Sequence, residues 1–205
     1  MVTIEKIPSV TATTPSHPSR CGRRRGLSTV GGFRDDLRMT LRDRPWPDPL
    51  STLPESVVGF LQFVHTTAVN KLDGLSEQQA RAAPLPSSPV MNPLGLIKHL
   101  AAVQRQHIQR TIGGQDLPSL WRSDDHDFEF RIGSEETVAS VVAGYDDEWA
   151  RTQQTLRETD WDKLVEDHHG PVRAARLLVD VMQESARHLG HLDIVRELID
   201  GSTGE

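Results

Sequence analysis

A helical repeat of apolar residues, carried through four long segments, constrains this chain more than any other feature. In LPESVVGFLQFVHTTAVNKLDGL, Val57, Phe60, Leu61, Val64, Ala68 and Leu72 recur at steps of three and four, the period of one helix face. Ser56 or the Pro-Glu pair before it opens this segment and Gly74 closes it. In NPLGLIKHLAAVQRQHIQRTIGG, Asn92 is a good N-cap, Pro93 a good first residue, and Leu96, Leu100 and Val103 form the apolar face. The third segment starts at Ser134 with Glu136 and Thr137, and its stripe is Val138, Val141, Val142, Tyr145, Trp149 and Leu156. The fourth runs from about Val172 to Asp200, with Leu178, Val181, Ser185, Leu189, Leu192 and Ile199 on one face and Gly201 as its stop.

SEQQARAAPLPSSPV reads as a short helical turn and a Pro-broken loop, and WDKLVEDHHGP as a connector. No stretch alternates convincingly as a strand does. Four amphipathic helices that must bury their stripes against one another predict an all-α four-helix bundle. The first-to-second and third-to-fourth links are short enough for antiparallel neighbours. The span QDLPSLWRSDDHDFEFRIG suits a crossover, and a loop of that length inside a domain suits a cover over a site.

Composition bounds the rest. Residues 1–48 show no sustained period, and TATTPSHPSRCGRRRG within them predicts a disordered tail; residues 49–205 are expected to hold the bundle. An alternative for the tail is that the native chain starts at Met39. The net charge of −6 argues against a nucleic-acid partner, with the short basic stretch the one feature in favour. No apolar run approaches the length of a membrane span. The N-terminus lacks the apolar core of a secretory signal. Cys21 is the single cysteine, so no internal disulfide forms. A cytoplasmic location is the default expectation.

The fourth helix raises the chemical question. ESARHLGHLDIVRELIDG places Glu184 and His188 four apart, neighbours on one surface. Measured from Ser185, His188 falls roughly 60° round the helix, Glu184 roughly 100° and His191 roughly 120°. The pair thus occupies the shoulder between core and solvent, and His99 occupies a similar shoulder on the second helix. Two ligands from one helix and one from a neighbour make a three-ligand site with a position left for water or substrate, as in catalytic zinc centres. A solvated Glu-His ion pair on a helix surface explains the same spacing. His107 falls on an apolar face and reads as a packed core residue; His65, His126 and the His168–His169 pair have no helical partner. No HExxH, CxxC, GxxxxGK or GxSxG motif is present.

The stretches GFLQFVHTTAVNKLDGLSEQQ, NPLGLIKHLAAVQRQ, DDHDF and ARHLGHLDIVRELIDG resemble the DinB-like superfamily of four-helix metalloproteins, in its mini-circle-protein branch, from about Pro54 to Gly201. The resemblance implies a divalent metal, zinc or nickel, held by His99, Glu184 and His188, in the Glu-xxx-His arrangement of the thiol-dependent maleylpyruvate isomerase-like relatives. It implies that His191 stands behind the ligands. It further implies conjugation or isomerisation of a small electrophile with a low-molecular-weight thiol such as mycothiol or bacillithiol, and the option of a homodimer. Arg105, Arg110 and Arg187 are candidate partners for a substrate carboxylate. Trp121 and Phe128 are candidates to cover the mouth of the site. The competing expectation is a non-enzymatic, stress-associated metal-binding or structural bundle.

Overall fold

The computed structural model of the chain describes residues 41–203. The expected tail up to residue 40, with the basic stretch, Cys21 and Met39, lies outside these residues. The remainder of the expected tail makes contacts with the bundle. Arg42 donates its backbone N–H to Asn70 Oδ1 at 2.8 Å and its guanidinium to both Asp146 oxygens at 2.6 and 2.8 Å. Trp46 packs on Phe60 and Phe63, with ring centroids 5.7 and 5.0 Å apart.

The helices are α1 (Leu53–Asn70), a single turn α2 (Glu77–Ala80), α3 (Pro93–Val103), α4 (Val138–Glu158) and α5 (Ala174–Asp200). Their ends follow local chemistry. The Glu55 carboxylate accepts from the Thr52 backbone N–H at 2.8 Å, so α1 opens through the Pro54-Glu55 pair and not at Ser56. Asn92 Oδ1 accepts from Gly95 N–H at 2.8 Å and opens α3. Thr137 Oγ1 accepts from Ser140 N–H at 3.1 Å, so α4 starts after Thr137 and not at Ser134. Gly201 takes φ 78°, which a side chain would resist, and its N–H closes α5 on Glu197 O at 2.9 Å. Beyond Val103 the second bundle helix continues as a π-helix over Gln104–Ile112.

The core has two layers. One joins Ala68, Val69 and Leu72 of α1, Leu94 to Ala101 of α3, Val141 and Tyr145 of α4, and Leu192 and Val195 of α5. The other joins Leu61, Ile108, Ile112, Trp149, Leu156, Leu177, Leu178 and Val181. The order in which each helix visits the layers fixes its direction: α1 and α5 run one way, α3 and α4 the other. Helix α1 packs on α5, α3 packs on both α5 and α4, and α4 makes lesser contact with α1. This up-down-down-up order corrects the link-length expectation. The helices joined by the shorter links are not the main packing neighbours, and the parallel pair α3 and α4 is joined by the crossover.

The connector expected before α5 contains a β-hairpin, β1 (Leu164–Asp167) and β2 (Gly170–Arg173), paired antiparallel with Val165 opposite Val172. His168 and His169 form its tip, and Gly170 takes φ 103° after them. Val165 and Val172 pack against the second core layer. Strands of four residues, alternating exposed and half-buried, leave little period to read. Among the described residues, no helix is long and apolar enough to cross a membrane.

Candidate metal centre

Helix α3 carries His99 and α5 carries Glu184 and His188, and the antiparallel packing of these two helices brings them together. The three side chains offer ligand atoms that all lie within 4.8 Å of one another. His188 Nε2 is 3.3 Å from Glu184 Oε2, and the His99 and His188 rings meet edge to face with centroids 4.3 Å apart. The i,i+4 pair therefore faces a neighbouring helix. The solvated-pair reading of the spacing does not fit this placement: His188 is 13% and Glu184 28% exposed at the side chain.

Both imidazoles are held from behind. His99 Nδ1 lies 3.3 Å from Glu129 Oε1, and Phe130 stacks on the His99 ring at 4.5 Å. His188 Nδ1 lies 3.4 Å from His191 Nδ1, which places His191 behind the ligand set, where the resemblance put it. Glu129 and Phe130 come from a 3₁₀ turn, Phe128–Phe130, seated on α3. Gly95 permits this seat, because a Cβ there would collide with the Phe130 carbonyl oxygen. Lys98 Nζ donates to Arg131 O at 2.6 Å and fastens the end of the turn. Nothing in the sequence marks Glu129. It is 30 residues from His99, in a loop, and no spacing rule connects them.

The electrostatics fit a metal. Burial pulls His99 down to about 4, against the attraction of Glu184. Burial also brings His188 to about 4, with His99 and His191 pushing the same way and Glu184 opposing. Both rings are neutral at pH 7, the form that ligates. His99 Nε2 is buried with no hydrogen-bond partner. Buried polar atoms are rarely left unpaired, and a cation between His99 and the α5 pair would satisfy this one.

A cavity of about 540 Å³ opens beside the triad. His99, Glu184, His107 and Trp121 line it, together with the hairpin tip and the α5 residues between Arg176 and Gln183. The reading of His107 as a packed core residue is corrected: its side chain reaches the cavity. The His168–His169 pair stands at the rim, with His168 Nδ1 bonded to Asp167 Oδ1 at 2.8 Å. His65 is structural, stacked against Tyr145 at 4.1 Å and bonded to Asp146 at 3.0 Å. Trp121 lines the cavity as a cover should, whereas Phe128 is 43% exposed beneath Arg122. Two of the candidate arginines are engaged elsewhere: Arg105 donates from Nε to the buried Glu148 at 3.0 Å and Arg110 to Gln106 Oε1 at 2.7 Å. Arg187 stays at the site, 3.2 Å from Glu184.

A bundle that points a His from one helix and a Glu-xxx-His pair from an antiparallel neighbour into one buried site has the architecture of a DinB-like protein. The Mycothiol-S-transferase family model matches residues 56–201, a span that includes all three converging side chains, and the chain belongs to that family. No curated protein matches it.

Proposed function

We propose that this protein is a divalent-metal-dependent mycothiol S-transferase that joins the thiol to a small electrophile in the cavity beside His99, Glu184 and His188. The three residues are its metal ligands. The observation that carries the reading is their convergence within 4.8 Å around a buried, unpartnered His99 Nε2. A donor set of two imidazoles and one carboxylate suits zinc first and nickel second.

A divalent ion bound by this set keeps net positive charge and supplies the field that brings a thiol to its thiolate near neutral pH. The chain does the remaining work. Glu129 and His191 hold the two imidazoles in orientation. Phe130 covers the His99 ring and keeps water from its flank. Trp121 and the hairpin tip wall the cavity in which the electrophile meets the thiol. The same reading places the protein in the cytoplasm, without nucleic-acid or membrane partners, and includes a homodimer.

Elemental analysis of untagged protein tests the ligands. About one divalent ion per chain is expected, and His188→Ala should lose it while keeping its helical circular dichroism. Unchanged metal content in that variant would overturn the assignment. Consumption of mycothiol against a panel of electrophiles then tests the reaction.

A further inference from the structure

His107 is an imidazole in the cavity wall to which the transfer reading above gives no task. It lies eight residues after His99. Continuous α-helical winding would turn it roughly 80° away from His99. The chain instead winds as a π-helix from Gln104, with Gly113 N–H donating to Ile108 O at 2.8 Å. This i→i+5 winding takes fewer degrees per residue, and it returns His107 to the side His99 faces. Such segments recur at functional sites. The two imidazoles then line one cavity, at most about 12 Å apart along the axis. That leaves room between them for a small reacting molecule.

The two nitrogens of His107 differ. Nδ1 is buried and has no partner. Nε2 has no protein partner either, but it is not among the buried unpartnered atoms, so it is the nitrogen open to the cavity. A buried orphan N–H is costlier and rarer than an unfilled acceptor. The proton therefore sits on Nε2, and the ring presents a donor. Burial lowers the pKa of His107, against the pull of Asp167 and Glu184, so the ring stays neutral at pH 7. Trp121 meets the edge of His107 with centroids 5.6 Å apart and adds an apolar surface to the same wall.

We propose that His107 Nε2 donates a hydrogen bond to an oxygen of the electrophilic co-substrate, and that this contact selects α,β-unsaturated carbonyl compounds. The chemistry rests on the thiol-transfer reading. The thiolate sulfur forms a bond to the β-carbon. The C=C π pair shifts toward the carbonyl, and negative charge develops on the oxygen that accepts from His107. The proton given up by the thiol returns from solvent to the α-carbon, leaving a thioether with no other reactant consumed. A donor aimed at the oxygen where charge grows acts more strongly in the transition state than in the bound ketone.

The test uses metal-loaded full-length protein, mycothiol and two electrophiles: benzylideneacetone, an enone, and benzyl chloride, which has no oxygen. His107→Phe should lower kcat/KM for the enone by about tenfold to a hundredfold and leave benzyl chloride within about twofold. His107→Gln, which keeps a donor, should recover most of the loss. Equal losses on both substrates, or no loss on the enone, would overturn the proposal. A second arm needs no turnover. Benzylacetone, the saturated ketone, is titrated without thiol while NMR follows the His107 imidazole nitrogens. A shift of Nε2 in the wild type, with binding weakened in His107→Phe, supports the contact; no shift overturns it. If neither electrophile is conjugated, the transferase reading falls, and the benzylacetone arm still decides the role of His107.

Discussion

Replacing Glu129 by alanine should weaken metal binding without unfolding the protein. The carboxylate stands 3.3 Å behind His99 Nδ1, and the residue is 9% exposed. Losing the partner behind a ligating imidazole commonly costs about 10- to 100-fold in metal affinity. The separation here is longer than the ~2.7–3.2 Å of a strong hydrogen bond. We therefore expect the lower part of that range, about 10- to 30-fold, or about 1.4–2 kcal/mol. The metal-free protein has an offsetting gain. Burial pushes the Glu129 pKa up, which marks a carboxylate that is costly to keep charged in place. Removing it spares that cost, so the metal-free melting temperature should stay within about 2 °C. Glu129→Gln retains an acceptor oxygen and should fall between the two. Competition against a chromophoric chelator measures the affinity, and calorimetry on the metal-free protein measures the stability. Affinity unchanged within twofold in Glu129→Ala would refute the reasoning. So would a collapse of the metal-free protein, which would make Glu129 a structural prop.

Two further predictions follow from contacts already described. Gly95→Ala should gain about 1 kcal/mol of helix propensity and lose more, because the Phe130 carbonyl must move off α3. A net loss of about 1–2 kcal/mol in thermal melts, with weaker chelator-competed metal binding as Glu129 follows Phe130, is the expected result; a variant as stable as the parent with full affinity would contradict it. Asp146 gives a pH dependence. Burial pushes its carboxyl up, but hydrogen bonds from His65 and Arg42 outweigh this and hold it well below its usual value of 3.8. A depressed carboxyl contributes its stability above the unfolded pKa and loses it as pH falls through the folded one. Asp146→Asn should therefore cost about 1–2 kcal/mol at pH 7, discounted because Arg42 is 40% exposed. Denaturant titrations at several pH values should show that deficit shrinking below about pH 4, and a deficit that persists there would exclude the carboxylate as its source.

How much of this could be read in the sequence depends on the range of each interaction. The four stripes are local, and α1, α3, α4 and α5 lie where the apolar period put them. The convergence of His99, Glu184 and His188 needed two steps: an i,i+4 spacing on one helix, and a family resemblance to say which helix it faces. Link length does not give the helix order, because it says little about which stripes fit together. The π-helix left one trace. From Val103 to the next buried aliphatic residue, Ile108, the step is five, where α-helical stripes step by three or four. Reading through that step with α geometry is what put His107 in the core.

The cover of the site is a consequence of topology. Helices α3 and α4 are parallel neighbours, so a chain leaving the π-helical continuation of α3 at Ile112 must travel back along the bundle before starting α4 at Val138. The return path runs opposite to α3. It lays its side chains against α3 in reverse order: Trp121 reaches His107 first, and Phe130 reaches His99 later. Glu129, one residue before Phe130, then falls behind His99. A hairpin-like link between antiparallel neighbours would have joined the near ends and covered nothing. The long irregular span that the periodicity could not assign is thus the element that walls the cavity at one end and orients the buried imidazole at the other.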